Sequence, residues 1–402
     1  MRGQSRRPPA RRPPPRRLDP RVYWIRRLVA ALAVILIAAV LVGLVTYALH
    51  GKNSGQTPPA DTTTTAARTP PSGIGLKTVT WTDANPKAPL VMNPAPGGSA
   101  GPRTLVTEIW YPSTGGSKTT PTPGQKPDYG AGPYPVIIFA HGFDTVPDTY
   151  KALLVSWVNA GFVVVAPLFP DENANKINSL GHPSLIESEY AESDVVNEPY
   201  DVAWVAGEVE SGAAGSASSG AAWLKGLVEP GKIALVGHSD GAQAVAALVY
   251  SETFASTYQA MTRPFAVVLG SGSQLAGTYA PPTSPPPLLF VQSAVDDCNL
   301  PQEAGTLFHD AGGGFFLKLT EAHHFSPYVG VGASAPVVER VTIAFLKQAL
   351  AGTPTASALS ESIRSAGVAT LYGPSTPPVL TALGEPSQAA RAAACAVPSS
   401  SR

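Results

Sequence analysis

The tightest constraint on the fold lies between residues 233 and 250. Ile233-Ala-Leu-Val236 is a short unbroken apolar run, the mark of a strand buried on both faces. It leads directly into Gly237-His238-Ser239-Asp240-Gly241, and a helical stretch follows from Ser239 to about Tyr250. A chain that passes from strand to helix in so few residues must turn sharply, and the two glycines relieve crowding against neighbouring backbone. The serine is then held exposed above the sheet, close to the positive end of the following helix.

The flanking sequence repeats this alternation. Thr78–Trp81 and Leu105–Trp110 read as early strands, and Pro135–Ala140 and Phe162–Pro167 as buried ones. Between the latter two, Tyr150, Leu153, Leu154, Trp157 and Val158 fall on one side of a helix over 148–160, with Gly161 as its stop. A helix over 201–209, strands at Ala266–Leu269, Leu288–Val291 and Phe315–Leu319, and a helix over 337–350 complete the pattern. Gly212–Gly220 reads as a flexible insert. Strands alternating with helices predict an α/β fold with a mostly parallel sheet covered on both faces. Ligands in such folds bind beyond the carboxyl ends of strands, which here are Ala140, Val236, Val295 and Leu319.

A serine hydroxyl is a weak nucleophile and needs a base held by a third group. In a strand–serine–helix turn of this kind the chain order is Ser, acid, His. Three of the seven histidines follow Ser239: His309 in a helical stretch, and His323 and His324 just after the last strand. Asp296 and Asp297 stand at the end of the strand that begins at Leu288. An oxyanion would need two fixed donors. The N–H of Asp240 supplies one, and the N–H of Phe143, in the loop His141-Gly142-Phe143 after Ala140, supplies the other. His141 and His238 read as hydrogen-bonded scaffold. No Cys or His cluster has zinc spacing, so neither metal nor cofactor is implied.

The net charge of zero conceals a division. Residues 1–27 carry ten Arg and one Asp, a basic Pro-rich tail, whereas the rest of the chain has 18 basic and 27 acidic residues. An acidic body excludes a nucleic-acid footprint. Residues 28–49 (LVAALAVILIAAVLVGLVTYAL) form 22 uncharged positions, long enough for a transmembrane helix and longer than the apolar core of a cleaved signal. Arg26 and Arg27 before it orient the tail to the cytoplasm and the body outward, although Arg26-Arg27 also admits a twin-arginine export signal. Residues 50–75 read as an extracytoplasmic linker. The two cysteines, Cys298 and Cys395, are expected to form a disulfide in an exported chain.

At this point the chain resembles a known family. The GHSDG elbow, the HGF loop, the strand end at Asp296 and His324-Phe325 are similar to those of serine α/β-hydrolases. The similarity is greatest to the branch of platelet-activating-factor acetylhydrolase, chlorophyllase-like and bacterial polyester hydrolases. Glu108-Ile-Trp-Tyr-Pro112 looks like that branch's WYP strand, and Asn197-Glu-Pro-Tyr-Asp-Val202 like its Pro-x-Asp helix start. The resemblance implies the α/β-hydrolase fold over residues 76–352. It also selects His324 over His323 and Asp296 over Asp297. The acidic segment 171–198, a candidate lid, and the Ala/Pro/Ser-rich tail 353–402 depart from the family pattern.

The resulting expectation is a membrane-anchored, outward-facing enzyme that cleaves acyl esters with Ser239, His324 and Asp296. Rival expectations are a peptidase, a thioesterase, an acyltransferase on cell-envelope lipids, or a non-catalytic binding module. A dienelactone-type hydrolase is disfavoured because that family carries Cys at the elbow.

Overall fold

The computed structural model describes residues 70–84, 102–179, 193–215, 220–364, 367–376 and 378–397. The basic tail 1–27, the apolar run 28–49 and the linker up to residue 69 lie outside the described residues, as do 180–192 of the acidic segment. Among the described residues no helix is long and apolar enough to cross a membrane.

The strands in chain order are β1 (Gly73–Asp83), β2 (Arg103–Ser113), β3 (Thr122–Pro123), β4 (Tyr134–Ala140), β5 (Val163–Leu168), β6 (Val228–His238), β7 (Ala266–Gly270), β8 (Leu288–Ser293), β9 (Phe315–Leu319) and β10 (Ala369–Tyr372). They form one sheet in the order β10-β9-β8-β7-β6-β4-β5-β2-β1-β3. The six from β5 to β9 in that order pair in parallel. β2 joins β5 antiparallel, β1 joins β2 antiparallel, and β10 joins β9 antiparallel. The main helices are α1 (Lys151–Asn159), α2 (Glu198–Ala214), α3 (Asp240–Tyr250), α4 (Pro301–Asp310) and α5 (Ala335–Ala351).

Continuous apolar runs give two cores because successive side chains leave a strand on opposite faces. Val136, Ile138, Val163, Val165, Ile233 and Leu235 pack with Val202 and Val205 of α2, Val245 of α3 and Leu307 of α4. Ile137, Phe139, Val164, Ala234 and Val236 pack on the other face with Leu154 and Trp157 of α1 and Val341 and Phe345 of α5. Trp157 Nε1 donates to Thr342 Oγ1 at 3.0 Å, joining α1 to α5 within that second core. A buried indole N–H without such an acceptor would cost about 1–3 kcal/mol.

Three local expectations change. The second helix begins at Glu198 and continues to Ala214, because Pro199 sits in its first turn and Gly215, at φ 77°, ends it. The first three residues of the expected flexible insert, 212–214, therefore lie in α2, and 216–219 lie outside the described residues. The segment 353–402 is not only a tail: Ala369–Tyr372 extends the sheet beside β9, with Ala369 opposite Leu319. Four residues without an apolar run carry too little pattern to be recognised as a strand, and β9 supplies the missing partner.

Candidate active site

The turn after β6 has the geometry its glycines require. A Cβ on Gly237 would lie 2.2 Å from the carbonyl oxygen of Gly241, and one on Gly241 would lie 2.2 Å from that of Ala140. Ser239 itself adopts φ 55° and ψ −122°, a conformation that costs a non-glycine residue on the order of 1–3 kcal/mol and is held only by surrounding structure. Here its N–H donates to Gly270 O at 2.9 Å, and its carbonyl accepts from Ala242 and Gln243 at the start of α3.

Three distant side chains meet above the sheet. The Ser239 hydroxyl lies 2.9 Å from His324 Nε2, and His324 Nδ1 lies 3.0 Å from Asp296 Oδ2 and 3.2 Å from Oδ1. A carboxylate only accepts, so Nδ1 carries the hydrogen and Nε2 is left bare to take the serine proton. Asp296 Oδ1 also accepts the backbone N–H groups of Cys298 at 3.0 Å and Asn299 at 3.2 Å. Burial pushes the Asp296 carboxyl upward, but the electrostatic attraction and N–H of the adjacent His324 ring, the N–H of Cys298 and the Ser271 hydroxyl together hold it below its ordinary value. Asp297 and His323 are exposed, whereas Asp296 and His324 are buried. His309 is the penultimate residue of α4; it too is exposed and bonds Asp310.

The loop after β4 passes directly against the serine. A Cβ on Gly142 would lie 2.9 Å from Ser239 Cβ, so only glycine fits there. The peptide joining Gly142 to Phe143 is pinned through its carbonyl, which accepts from His141 Nδ1 at 2.9 Å and from the Thr145 hydroxyl. His141 Nε2 accepts the Phe169 N–H at 3.1 Å, which places the ring hydrogen on Nδ1. Burial drives His141 down to about 4, so the ring stays neutral. With the carbonyl held on one side, the N–H of Phe143 in the same trans peptide points the other way. His141 and His238 are scaffold residues, as their sequence context suggested. Thr145, Ser271, Tyr150, whose hydroxyl accepts the Gly142 N–H at 3.1 Å, and Gln292, whose Nε2 donates to Asp296 Oδ2 at 3.4 Å, were not legible as site residues: none lies in a motif, and Tyr150 reads as one more apolar position of its helix.

A second polar group joins the start of β2 to α2 and to the residues just before it. Arg103 Nε donates to Asp201 Oδ1 at 2.8 Å and Nη2 to Asp201 Oδ2 at 2.6 Å, while Nη1 and Nη2 hold Asp194 at 3.0 and 2.7 Å. Burial pushes Asp201 up to about 6 despite the guanidinium beside it. Asp201 is the acid of the Pro-x-Asp motif, so that motif carries a structural ion pair. The described ends of the acidic segment are anchored here: Asp194 by Arg103, and Glu172 and Glu198 by full burial against each other. Among the described residues no cluster of three or more His, Cys, Asp or Glu has a geometry able to hold a metal ion.

Cys298 and Cys395 are joined, with Cα atoms 4.9 Å apart. The residues that follow β10 thus return across α4, where Gln302 exchanges two hydrogen bonds with the backbone of Leu383.

Comparison with known proteins agrees with this architecture. The chlorophyllase family profile matches residues 120–182, a span that holds the His141–Phe143 loop but none of Ser239, Asp296 and His324. Curated proteins give no match. Among solved structures, a ferulic acid esterase from Streptomyces cinnamoneus superposes with a TM-score of 0.50 at 17% identity, over 73% of this chain and 97% of that one. The fold is that of the α/β-hydrolases. Within them the chain is similar to the chlorophyllase and polyester-hydrolase type of serine hydrolase.

Proposed function

We propose that this protein is a serine hydrolase that cleaves carboxylic esters through an acyl-enzyme. The observation that carries this reading is the hydrogen-bonded line Ser239–His324–Asp296, with spacings of 2.9 and 3.0 Å, at three strand ends of an α/β-hydrolase fold. Ser239 Oγ bonds to the ester carbonyl carbon while its proton passes to His324 Nε2. The carbonyl oxygen becomes an oxyanion held by the N–H groups of Phe143 and Asp240, and Asp296 stabilises the imidazolium. Collapse breaks the ester C–O bond, and His324 gives its proton to the leaving alcohol. Water then repeats the sequence on the acyl-enzyme, releasing the acid and restoring the serine.

Residues 28–49 anchor the enzyme to the membrane, with the basic tail cytoplasmic and the hydrolase domain outside. The Cys298–Cys395 bridge supports that orientation, since disulfides persist in oxidising compartments. Protease digestion of intact cells is expected to remove the domain and leave a membrane-held stub.

The test of the activity is hydrolysis of p-nitrophenyl acyl esters. Ser239→Ala is expected to lower kcat by about 1,000-fold or more and to abolish fluorophosphonate labelling. Near wild-type turnover in that variant rules the reading out.

A further inference from the structure

The residue before the nucleophile, His238, is fully enclosed and lies outside the Ser–His–Asp line, yet it touches both loops that the line must hold in place. His238 Nε2 lies 3.2 Å from the carbonyl oxygen of His324. A carbonyl accepts and cannot donate, so Nε2 carries the ring hydrogen. Burial, and after it the neighbouring His324, pushes the ring's pKa well down, so the imidazole is neutral and its Nδ1 bare. Tyr150 Oη lies 2.9 Å from that Nδ1 and donates to it. The tyrosine oxygen in turn accepts the N–H of Gly142 at 3.1 Å. Every donor and acceptor in this line has a single consistent direction, from Gly142 N–H through Tyr150 and His238 to the carbonyl of His324.

The three residues at its nodes belong to the three loops the chemistry needs. Gly142 precedes Phe143, the candidate oxyanion donor; His238 precedes Ser239; His324 is the candidate base. Tyr150 itself comes from the first turn beyond the oxyanion loop and is buried. The rings of His238 and Tyr328 lie 4.2 Å apart, so the imidazole also packs on that ring, and Tyr328 donates to Val291 O in β8 at 3.0 Å.

We propose that Tyr150 and His238 are positioning residues that set the spacing between the oxyanion loop and the base loop, so that the N–H of Phe143 and the imidazole of His324 present themselves to the same tetrahedral carbon. His141 and Thr145 hold the Gly142 carbonyl from within its own loop, and the nucleophile's line to His324 and Asp296 does not reach that loop. The Tyr150–His238 line is what ties the oxyanion loop to the base loop. Being neutral at both nodes, it adds no charge beside the developing oxyanion.

This inference rests on the proposed ester hydrolysis, and its test separates the two. The full-length protein, or the protein released from membranes, is titrated with a fluorophosphonate so that kcat is expressed per labelled serine. Tyr150→Phe removes the hydroxyl that serves both Gly142 and His238. His238→Leu removes both the acceptor for Tyr150 and the N–H to the His324 carbonyl. Each is expected to lower kcat on p-nitrophenyl butyrate by about 10-fold or more, with KM within about threefold, because the interaction matters when the oxyanion forms. The inhibition constant of an alkyl trifluoromethyl ketone, whose hemiketal oxygen occupies the oxyanion position, should rise by a similar factor. The double variant should be little worse than the worse single one, since both break one line. Losses that multiply overturn the proposal. So does a lower melting temperature with unchanged kcat per labelled serine in both variants, since that is a purely structural role. Failure of the wild-type protein to label at Ser239 would instead overturn the hydrolase reading itself.

Discussion

Cys298 lies two residues beyond Asp296 and gives that carboxylate its backbone N–H at 3.0 Å, so the bridge to Cys395 ends on the loop that holds the candidate acid. Chain that follows the sheet is thereby tied to the site across 97 residues of sequence.

Replacing both cysteines with serine should therefore act on stability and on rate. Closing a loop of this length is worth about 4–5 kcal/mol in the chain-entropy account, with measured bridges often giving less. The expected result is a melting temperature lower by several degrees, together with a kcat reduced several-fold as the donors to Asp296 loosen. Thermal denaturation and esterase assays on the same preparation check both. An unchanged kcat in the folded double variant would show that the acid loop holds itself.

Gly142→Ala separates catalytic geometry from folding. The added Cβ meets Ser239 Cβ at 2.9 Å and Tyr150 Oη at 3.2 Å, so the loop must withdraw from the serine. Overpacking of this kind costs about 1–3 kcal/mol, and the withdrawn Phe143 N–H should reduce kcat by about 100-fold. Gly241→Ala meets backbone at 2.2 Å and is expected to prevent folding. Soluble expression and circular dichroism distinguish the two; a well-folded, active Gly241→Ala enzyme would contradict the turn geometry.

Stability should fall as pH rises because of one buried pair. Burial first, and then the charge and hydrogen bond of Glu172 with added repulsion from Asp194 and Asp240, pushes the Glu198 carboxyl well above its ordinary value. A carboxyl with a raised folded-state pKa contributes most below its unfolded value of about 4.3 and loses that contribution as pH climbs toward the folded value. Glu198→Gln keeps a hydrogen for Glu172 without titrating. Its melting temperature should match the wild type near pH 4 and exceed it by a growing margin as pH rises from there, one unit of mismatch being worth roughly 1.4 kcal/mol. Parallel curves over that range would sink the assignment.

Arg103 holds two carboxylates that burial would otherwise make unfavourable. Arg103→Met leaves Asp194 and Asp201 facing each other, which is expected to cost about 3–5 kcal/mol by urea denaturation. Adding Asp201→Asn should recover part of the loss, because one of the two stranded charges is gone. No recovery would mean that the arginine acts through its packing alone.

Local chemistry made most of the central sheet readable. β4, β5, residues 233–236 of β6 and residues 288–291 of β8 are short apolar runs, and a strand segment buried on both faces needs no partner to announce itself. Ser239 stood out for the same reason: the steric demands of a strand-to-helix turn are met within five residues. The four-residue β10 and the Arg103 triad were not readable, since their meaning lies in partners about 50 to 100 positions away.

Sequence alone thus determined the α/β pattern and the sharply turned serine, and with the family resemblance it chose Asp296 and His324 over Asp297 and His323. Tertiary structure buried those two side chains against Ser239 and brought Tyr150, His238 and Gly142 into one line. The reason is physical: periodicity and steric turns act between neighbours in the chain, whereas a hydrogen bond's donor and acceptor are chosen only when folding excludes water from between them.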